Sequence, residues 1–284
     1  MSMLLRGAPA AAALNEKTAQ LVSELREKGV IPTLAIVRPG AREDDLSYER
    51  AAVKRCAAVG IETRCISLPA DVSGEELEKT LRALNVEETV HGILLLRPLP
   101  SALDETRILR AIAPEKDVDG ATEGSLATVY AGAGEGFAPC TAQAVLELLD
   151  YYEIPIEGKR AVILGRSLVV GRPAAMLLLH RGATVTLCHS KTENAAFLAR
   201  EADILVAATG QRESVGAAYF SAGQTVIDVG IHYNEETQRL CGDVALAEAE
   251  ALVRAITPVP GGVGALTTAV LAAHTAKAAA RQRK

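Results

Sequence analysis

Six short apolar runs constrain this chain more than any other feature: TLAIV (33–37), GILLL (92–96), AVILG (161–165), ATVTLC (183–188), DILVAA (203–208) and TVIDVG (225–230). Each is hydrophobic continuously, whereas a strand with one wet face would alternate, so both faces must be covered. That is the pattern of a parallel sheet, and the helical stretches between the runs supply the covering layers. Leu14, Thr18, Leu21, Val22 and Leu25 form one apolar helical stripe that Gly29 ends. SGEE (73–76) is a capping box, with Ser73 as N-cap and Glu76 reaching back to it. The fold class is therefore α/β, with right-handed crossovers.

A boundary is expected near residue 140, because YAGAGEGFAPC (130–140) is rich in glycine and small residues. After it, TAQAVLELLDYYEI reads as a helix leading into a fresh β-α-β series. The expected domains are 1–140 and 141–264, with a last helix at 265–284 packing back on the first lobe. A chain of 284 residues that is 49% hydrophobic is long enough to bury two such cores.

Charge and cysteine usage exclude several functions. A net charge of −5 leaves no basic surplus for a phosphate backbone, which argues against nucleic acid. Cys56, Cys65, Cys140, Cys188 and Cys241 are odd in number and never form C-x-x-C, so neither a disulfide framework nor a zinc site is expected. The opening MSMLLRGAPAAAAL has no positive leader and is interrupted by Arg6, against a signal peptide. No run approaches the ~18 apolar residues of a membrane span. A cytoplasmic location, no membrane and no metal are the expectations.

AVILGRSLVVGRPAAMLLL (161–179) places a strand, a turn between Gly165 and Gly171, and a helix with Pro173 in its first turn. A helix N-terminus presents free N–H groups and partial positive charge, and glycine lets a diphosphate approach the backbone there. The spacing is not G-x-G-x-x-G, and an ordinary strand-to-helix turn is the bland reading. The next strand ends in CHSKT, with His189, Ser190 and Lys191 and no carboxylate where a ribose 2′-hydroxyl would need one. With Arg166 in the turn, those donors favour a 2′-phosphate, hence NADP.

KDVDG (116–120), PCT (139–141), GRSLVVGRP (165–173), VIDVGI (226–231), GDV (242–244) and TPVPGGVG (257–264) occur in an order that resembles the methylenetetrahydrofolate dehydrogenase/methenyltetrahydrofolate cyclohydrolase family. The resemblance implies an N-terminal α/β catalytic lobe, a Rossmann-type NADP-binding lobe, a cleft between them that holds folate beside the nicotinamide, and a homodimer formed through the nucleotide lobe. It implies that Gly165, Arg166, Ser167, Ser190 and Ile231 touch the cofactor. It also implies that Tyr48, Asp119 and the loop of Pro260, Gly261, Gly262, Val263 and Gly264 line the folate pocket, with Tyr48 and Asp119 nearest the chemistry. Asp119 can accept hydrogen bonds from the pterin's N–H donors; loop capping is the alternative for Asp117 and Asp119.

This sequence departs from the family where proton transfer is expected. Members that also hydrolyse the product resemble one another in carrying a lysine four residues after the tyrosine and a glutamine in the segment equivalent to LLLRPLP (94–100). Here those positions are Ala52 and Leu96. Lys54 is six residues from Tyr48, which turns it about 120° away on a helix. Arg50 and Arg97 stay charged and shuttle protons poorly, and strand alternation is expected to point Arg97 away from Leu96's side. Ala142 and Ala265 stand where proline is common. The expected activity is therefore oxidation of methylenetetrahydrofolate with NADP, with hydrolysis weak. The alternatives are full bifunctionality with Lys54 brought in by a shifted helix, and a non-catalytic NADP sensor, which the retained Tyr48, Asp119 and PGGVG oppose.

Overall fold

The computed structural model describes residues 2–282. In chain order the first elements are β1 (Met3–Leu4), α1 (Gly7–Glu27), β2 (Thr33–Pro39), α2 (Glu43–Ala58), β3 (Glu62–Leu68), α3 (Gly74–Val86) and β4 (Gly92–Leu95). There follow α4 (Glu105–Leu109), α5 (Glu123–Ala131), α6 (Cys140–Tyr151), β5 (Arg160–Leu164), α7 (Gly171–His180), β6 (Thr184–Cys188) and α8 (Ala195–Arg200). The last are β7 (Ile204–Ala207), β8 (Thr225–Asp228), β9 (His232–Asn234), β10 (Arg239–Cys241), α9 (Leu246–Leu252), β11 (Ala255–Ile256) and α10 (Thr267–Arg281). The chain divides into two compact units, one of Leu14–Cys140 with the segment from Thr268 onward, the other of Thr141–Thr267 with the segment up to Ala13.

The first unit is built on a parallel sheet in the order β3-β2-β4. Central β2 is almost wholly buried, as its continuous run requires, while β3 has no buried residue and lies at the edge. That exposure explains why ETRCISL does not read as a hydrophobic strand. Helix α3 starts where its cap dictates, with the Ser73 hydroxyl accepting the Glu76 amide at 3.2 Å. It buries Leu77, Leu81 and Leu84 against Ala35, Val37 and Ile93. Each such leucine contributes about 1.5–3 kcal/mol, so truncating any one of them, as in Leu81→Ala, would weaken this layer. The C-terminal helix α10 is buried along most of its length, and the His274 ring reaches the Val118 carbonyl at 2.9 Å.

The second unit carries a six-stranded sheet, β1-β11-β8-β7-β5-β6, all parallel. All six runs named above are strands: four are internal to their sheets, while GILLL (β4) and ATVTLC (β6) lie at sheet edges. The first residues depart from expectation: Met3 and Leu4 pair with Ala255 and Ile256, so residues up to Ala13 cluster with this unit rather than with the expected 1–140 lobe. Two strands are too short to announce themselves in sequence.

Candidate active site

In the six-stranded sheet, β5 is flanked by β6 on one side and β7 on the other, so the strand order reverses at β5. Ligands in open α/β sheets bind outside the carboxyl ends of strands at such a point. A cavity of about 430 Å³ lies there, lined from the end of β5 (Gly165, Arg166, Ser167), of β6 (His189, Ser190) and of β7 (Ala208, Thr209). Gly165 has φ +123°, and a Cβ on it would collide with the Ala208 carbonyl oxygen. A Cβ on Gly171 would likewise strike the Gly165 oxygen, so both glycines are required by close backbone approach. The Ser167 hydroxyl accepts the Val170 amide at 3.1 Å and fixes the turn that opens α7. His189 accepts the Lys191 amide on Nδ1 at 3.1 Å.

Two buried aspartates brace this rim. Asp243 accepts the Thr209 and Gly210 amides at 2.6 and 3.1 Å and meets His232 Nε2 at 2.8 Å. Asp228 accepts three backbone amides, from Gly230, Asp243 and Val244, yet burial still pushes its carboxyl up to about 6. Those contacts explain VIDVGI and GDV physically: they are a clamp on the loops after β7 and β8.

The other unit has its own polar cavity, of about 530 Å³, at the end of β4. Helix α2 presents Asp45 and Tyr48 to it, three residues apart on one face, and Arg42 grips Asp45 with two hydrogen bonds of 2.7 and 2.8 Å. Ala52 continues that face, fully buried, while Lys54 is exposed and Arg50 turns to Glu43 at 3.0 Å. Opposite lie Leu96, buried, and then Arg97, whose guanidinium meets Asp119 at 3.4 Å and Glu105 at 3.3 Å. Burial raises the Asp119 carboxyl above its ordinary value; the Arg97 charge opposes that, and Asp117 adds to it. Asp117 itself is spent on the loop, accepting the Ala121 and Thr122 amides at 3.1 and 2.7 Å.

The residues expected from sequence are thus brought together in two groups. Gly165, Arg166, Ser167 and Ser190 share the first cavity; Tyr48, Leu96 and Asp119 share the second. Ile231 is 64% exposed and does not line the first cavity. Pro260–Gly264 belong to the nucleotide-type unit, where the Gly261 oxygen accepts the Gly7 amide at 2.8 Å, and do not line the second cavity. Arg97 corrects the alternation argument: β4 ends at Leu95, so strand geometry no longer governs residue 97, and its side chain joins Leu96 at the cavity. Arg42 and Asp45 were not singled out in sequence, although Asp45 at i−3 from Tyr48 was legible by helical spacing. Among the described residues no cluster suited to a metal ion occurs, and no helix is long and apolar enough to cross a membrane.

A parallel sheet that reverses order beside a glycine-walled crevice defines a dinucleotide-binding α/β protein, here joined to a second α/β unit with a separate polar cavity. The particular family follows from comparison: residues 5–119 match the tetrahydrofolate dehydrogenase/cyclohydrolase catalytic domain and residues 139–283 its NAD(P)-binding domain. The chain belongs to the tetrahydrofolate dehydrogenase/cyclohydrolase family. It is 50% identical to the bifunctional protein FolD of Carboxydothermus hydrogenoformans, covering 98% of this chain and 97% of that one. The FolD crystal structure from Campylobacter jejuni superposes with a TM-score of 0.95 at 37% identity, covering 99% of each chain. The Trypanosoma brucei enzyme, solved with NADP and an inhibitor, has a TM-score of 0.90 at 36% identity, covering 99% of this chain and 98% of that one.

Proposed function

We propose that this protein oxidises 5,10-methylenetetrahydrofolate to 5,10-methenyltetrahydrofolate with NADP, and that it hydrolyses the product only slowly. The observation that carries the second half is the cavity around Tyr48: the positions where a proton shuttle and its partner are expected hold Ala52, fully buried, and Leu96, 5% exposed. Lys54, the only lysine within two turns after Tyr48, is exposed on another face of α2.

The two reactions make different demands. In oxidation, a nitrogen lone pair next to the methylene carbon expels hydride, so orientation does most of the work and no general base is needed. NADP, when bound, supplies the hydride acceptor. In this reading the Asp119 carboxylate receives the pterin's amino and ring N–H donors and Tyr48 borders the reacting carbon. Gly165, Arg166, Ser167 and Ser190, which line the first cavity, hold the dinucleotide. The glycine-walled crevice fits a diphosphate, and Arg166, His189 and Ser190 at its rim fit a 2′-phosphate better than a free hydroxyl.

Hydrolysis instead adds water to the methenyl carbon, and that water must lose a proton in the process. Loss of such assistance costs about 10²–10⁴-fold. Arg97 lies in the cavity, but a guanidinium that stays charged is a poor shuttle.

A homodimer and a cytoplasmic location complete the reading; five free cysteines accord with the latter. Full bifunctionality is the second reading, favoured by the name "bifunctional protein FolD" carried by relatives up to 50% identical. Two assays on one preparation decide. Folate-dependent appearance of NADPH tests the oxidation, and its absence would refute the dehydrogenase. Loss of methenyltetrahydrofolate absorbance tests the hydrolysis, and a rate matching the oxidation would establish the second reading.

A further inference from the structure

Arg97 is the one charged side chain of the folate-type cavity that contacts Asp119. It follows β4 directly, and its guanidinium is held between two carboxylates, Glu105 on α4 at 3.3 Å and Asp119 at 3.4 Å. Glu105 is itself fixed, its other oxygen accepting the Leu99 amide at 3.3 Å. Both Arg97 and Asp119 remain about one-fifth open to the cavity, at 22% and 21% of side-chain area, so the pair faces a ligand rather than the core. Only Nη2 is committed to Asp119, at Oδ2, and the contact is long enough for a ligand's donors to share the carboxylate.

We propose that Arg97 is a positioning residue for the folate: braced by Glu105, it holds the Asp119 carboxylate ionised and turned toward the pterin's N–H donors. This rests on Asp119 being the pterin anchor.

The surroundings make such a partner necessary. Asp117 lies on the same loop, Asp44 and the Arg42–Asp45 pair face the cavity from α2 beside Tyr48, and from α6 comes the Cys140 thiol. His274 of α10 meets the Val118 carbonyl at 2.9 Å and the Cys140 thiol at 4.0 Å, and burial keeps its ring neutral. Of these groups Arg97 is the cation that directly offsets burial and the charge of Asp117. Without it Asp119 takes up a proton at higher pH and loses acceptor capacity for the pterin.

The test is steady-state oxidation kinetics from pH 6 to 9 for Arg97→Met, Arg97→Lys, Glu105→Gln and Asp119→Asn. A long charge-assisted hydrogen bond sits at the low end of its range, so Arg97→Met should raise the folate KM about tenfold. Its acid limb in kcat/KM should move to higher pH, with the NADP KM unchanged as evidence of an intact fold. Arg97→Lys, keeping the charge, should return the limb toward wild type, and Glu105→Gln should move it slightly upward. If Arg97→Met is too unstable to assay, Arg97→Gln, which also removes the charge, carries the same comparison, and an unmoved acid limb in it overturns the proposal. Unchanged folate KM and pH limb in Arg97→Met, with folate affinity lost in Asp119→Asn, overturns the role of Arg97 and leaves that of Asp119 standing. A folate KM indifferent to Asp119→Asn overturns both.

Discussion

On the proposed function, Ala52→Lys combined with Leu96→Gln should accelerate the slow hydrolytic step. Ala52 lies one helical turn beyond Tyr48 on the face that Asp45 and Tyr48 present to the cavity, so a lysine stem there runs along the tyrosine toward open volume of about 530 Å³. The site is fully buried, and a larger side chain costs about 1–3 kcal/mol through overpacking unless its stem finds that opening. The same burial depresses the ammonium's pKa, which is what a proton shuttle near neutrality needs. Leu96→Gln replaces an apolar wall with an amide able to hydrogen-bond the new amine. Together they should raise hydrolysis of methenyltetrahydrofolate, followed by its absorbance, by about 10²-fold or more, the lower end of what proton transfer contributes. The oxidation rate should shift far less, because it uses no base. If the folded double variant hydrolyses no faster than the parent, or the parent already matches its own oxidation rate, the argument from these two positions fails.

Three further outcomes follow from other parts of the molecule. Gly165→Ala places a methyl group against the Ala208 carbonyl at a backbone φ of +123°, so NADP binding should be lost and stability should fall by more than the about 1–3 kcal/mol of backbone strain alone, measured by fluorescence titration and urea unfolding. Arg166→Ala should weaken NADP about tenfold or more and leave NAD nearly unaffected; equal loss for both would refute a 2′-phosphate role. His274, buried and depressed to about 3, stays neutral in the fold while the unfolded ring protonates below about 6.5. The unfolded state then binds more protons, so stability is lost as pH falls from about 6.5 toward 3, by roughly 2–3 kcal/mol at pH 4.5. His274→Gln should flatten that limb in urea titrations, and an unchanged limb would refute it.

How much of this was legible in sequence follows from what each feature depends on. Five of the six apolar runs announce buried strands because a strand covered on both faces has no position left for a polar side chain; ATVTLC, an edge strand with only Cys188 buried, is the exception. Edge strand β3 lacks that constraint, and β1 and β11, at two residues each, are defined by their partners rather than by their own composition. Gly165 and Gly171 were legible as a turn, but why glycine is needed appears only with the Ala208 and Gly165 carbonyl oxygens in place. Asp117 and Asp119, two residues apart in one motif, separate completely in the fold, one spent on backbone amides and the other open to a cavity. Arg97 was misread because strand periodicity was carried two residues past the end of β4. Periodicity speaks only for residues inside an element, and binding sites gather where elements stop.

The same distinction bears on how two reactions can part company within one protein. On the proposed function, oxidation and hydrolysis share the pterin anchor, so a change at Asp119 should act on both and leave their ratio nearly constant. On the same reading residues 52 and 96 bear only on the step in which water loses a proton, so changes there should move the ratio and spare the anchor. Substituting both with apolar groups also removes the cost of burying an amine without a reason to hold it, since an unpaired buried cation is expensive and an alanine in a helix is not. A lineage that no longer needs rapid hydrolysis would gain stability from such a replacement while the oxidation persists. On the proposed function, Tyr48 and Asp119 at the cavity beside a buried Ala52 and Leu96 are the arrangement such a replacement would produce.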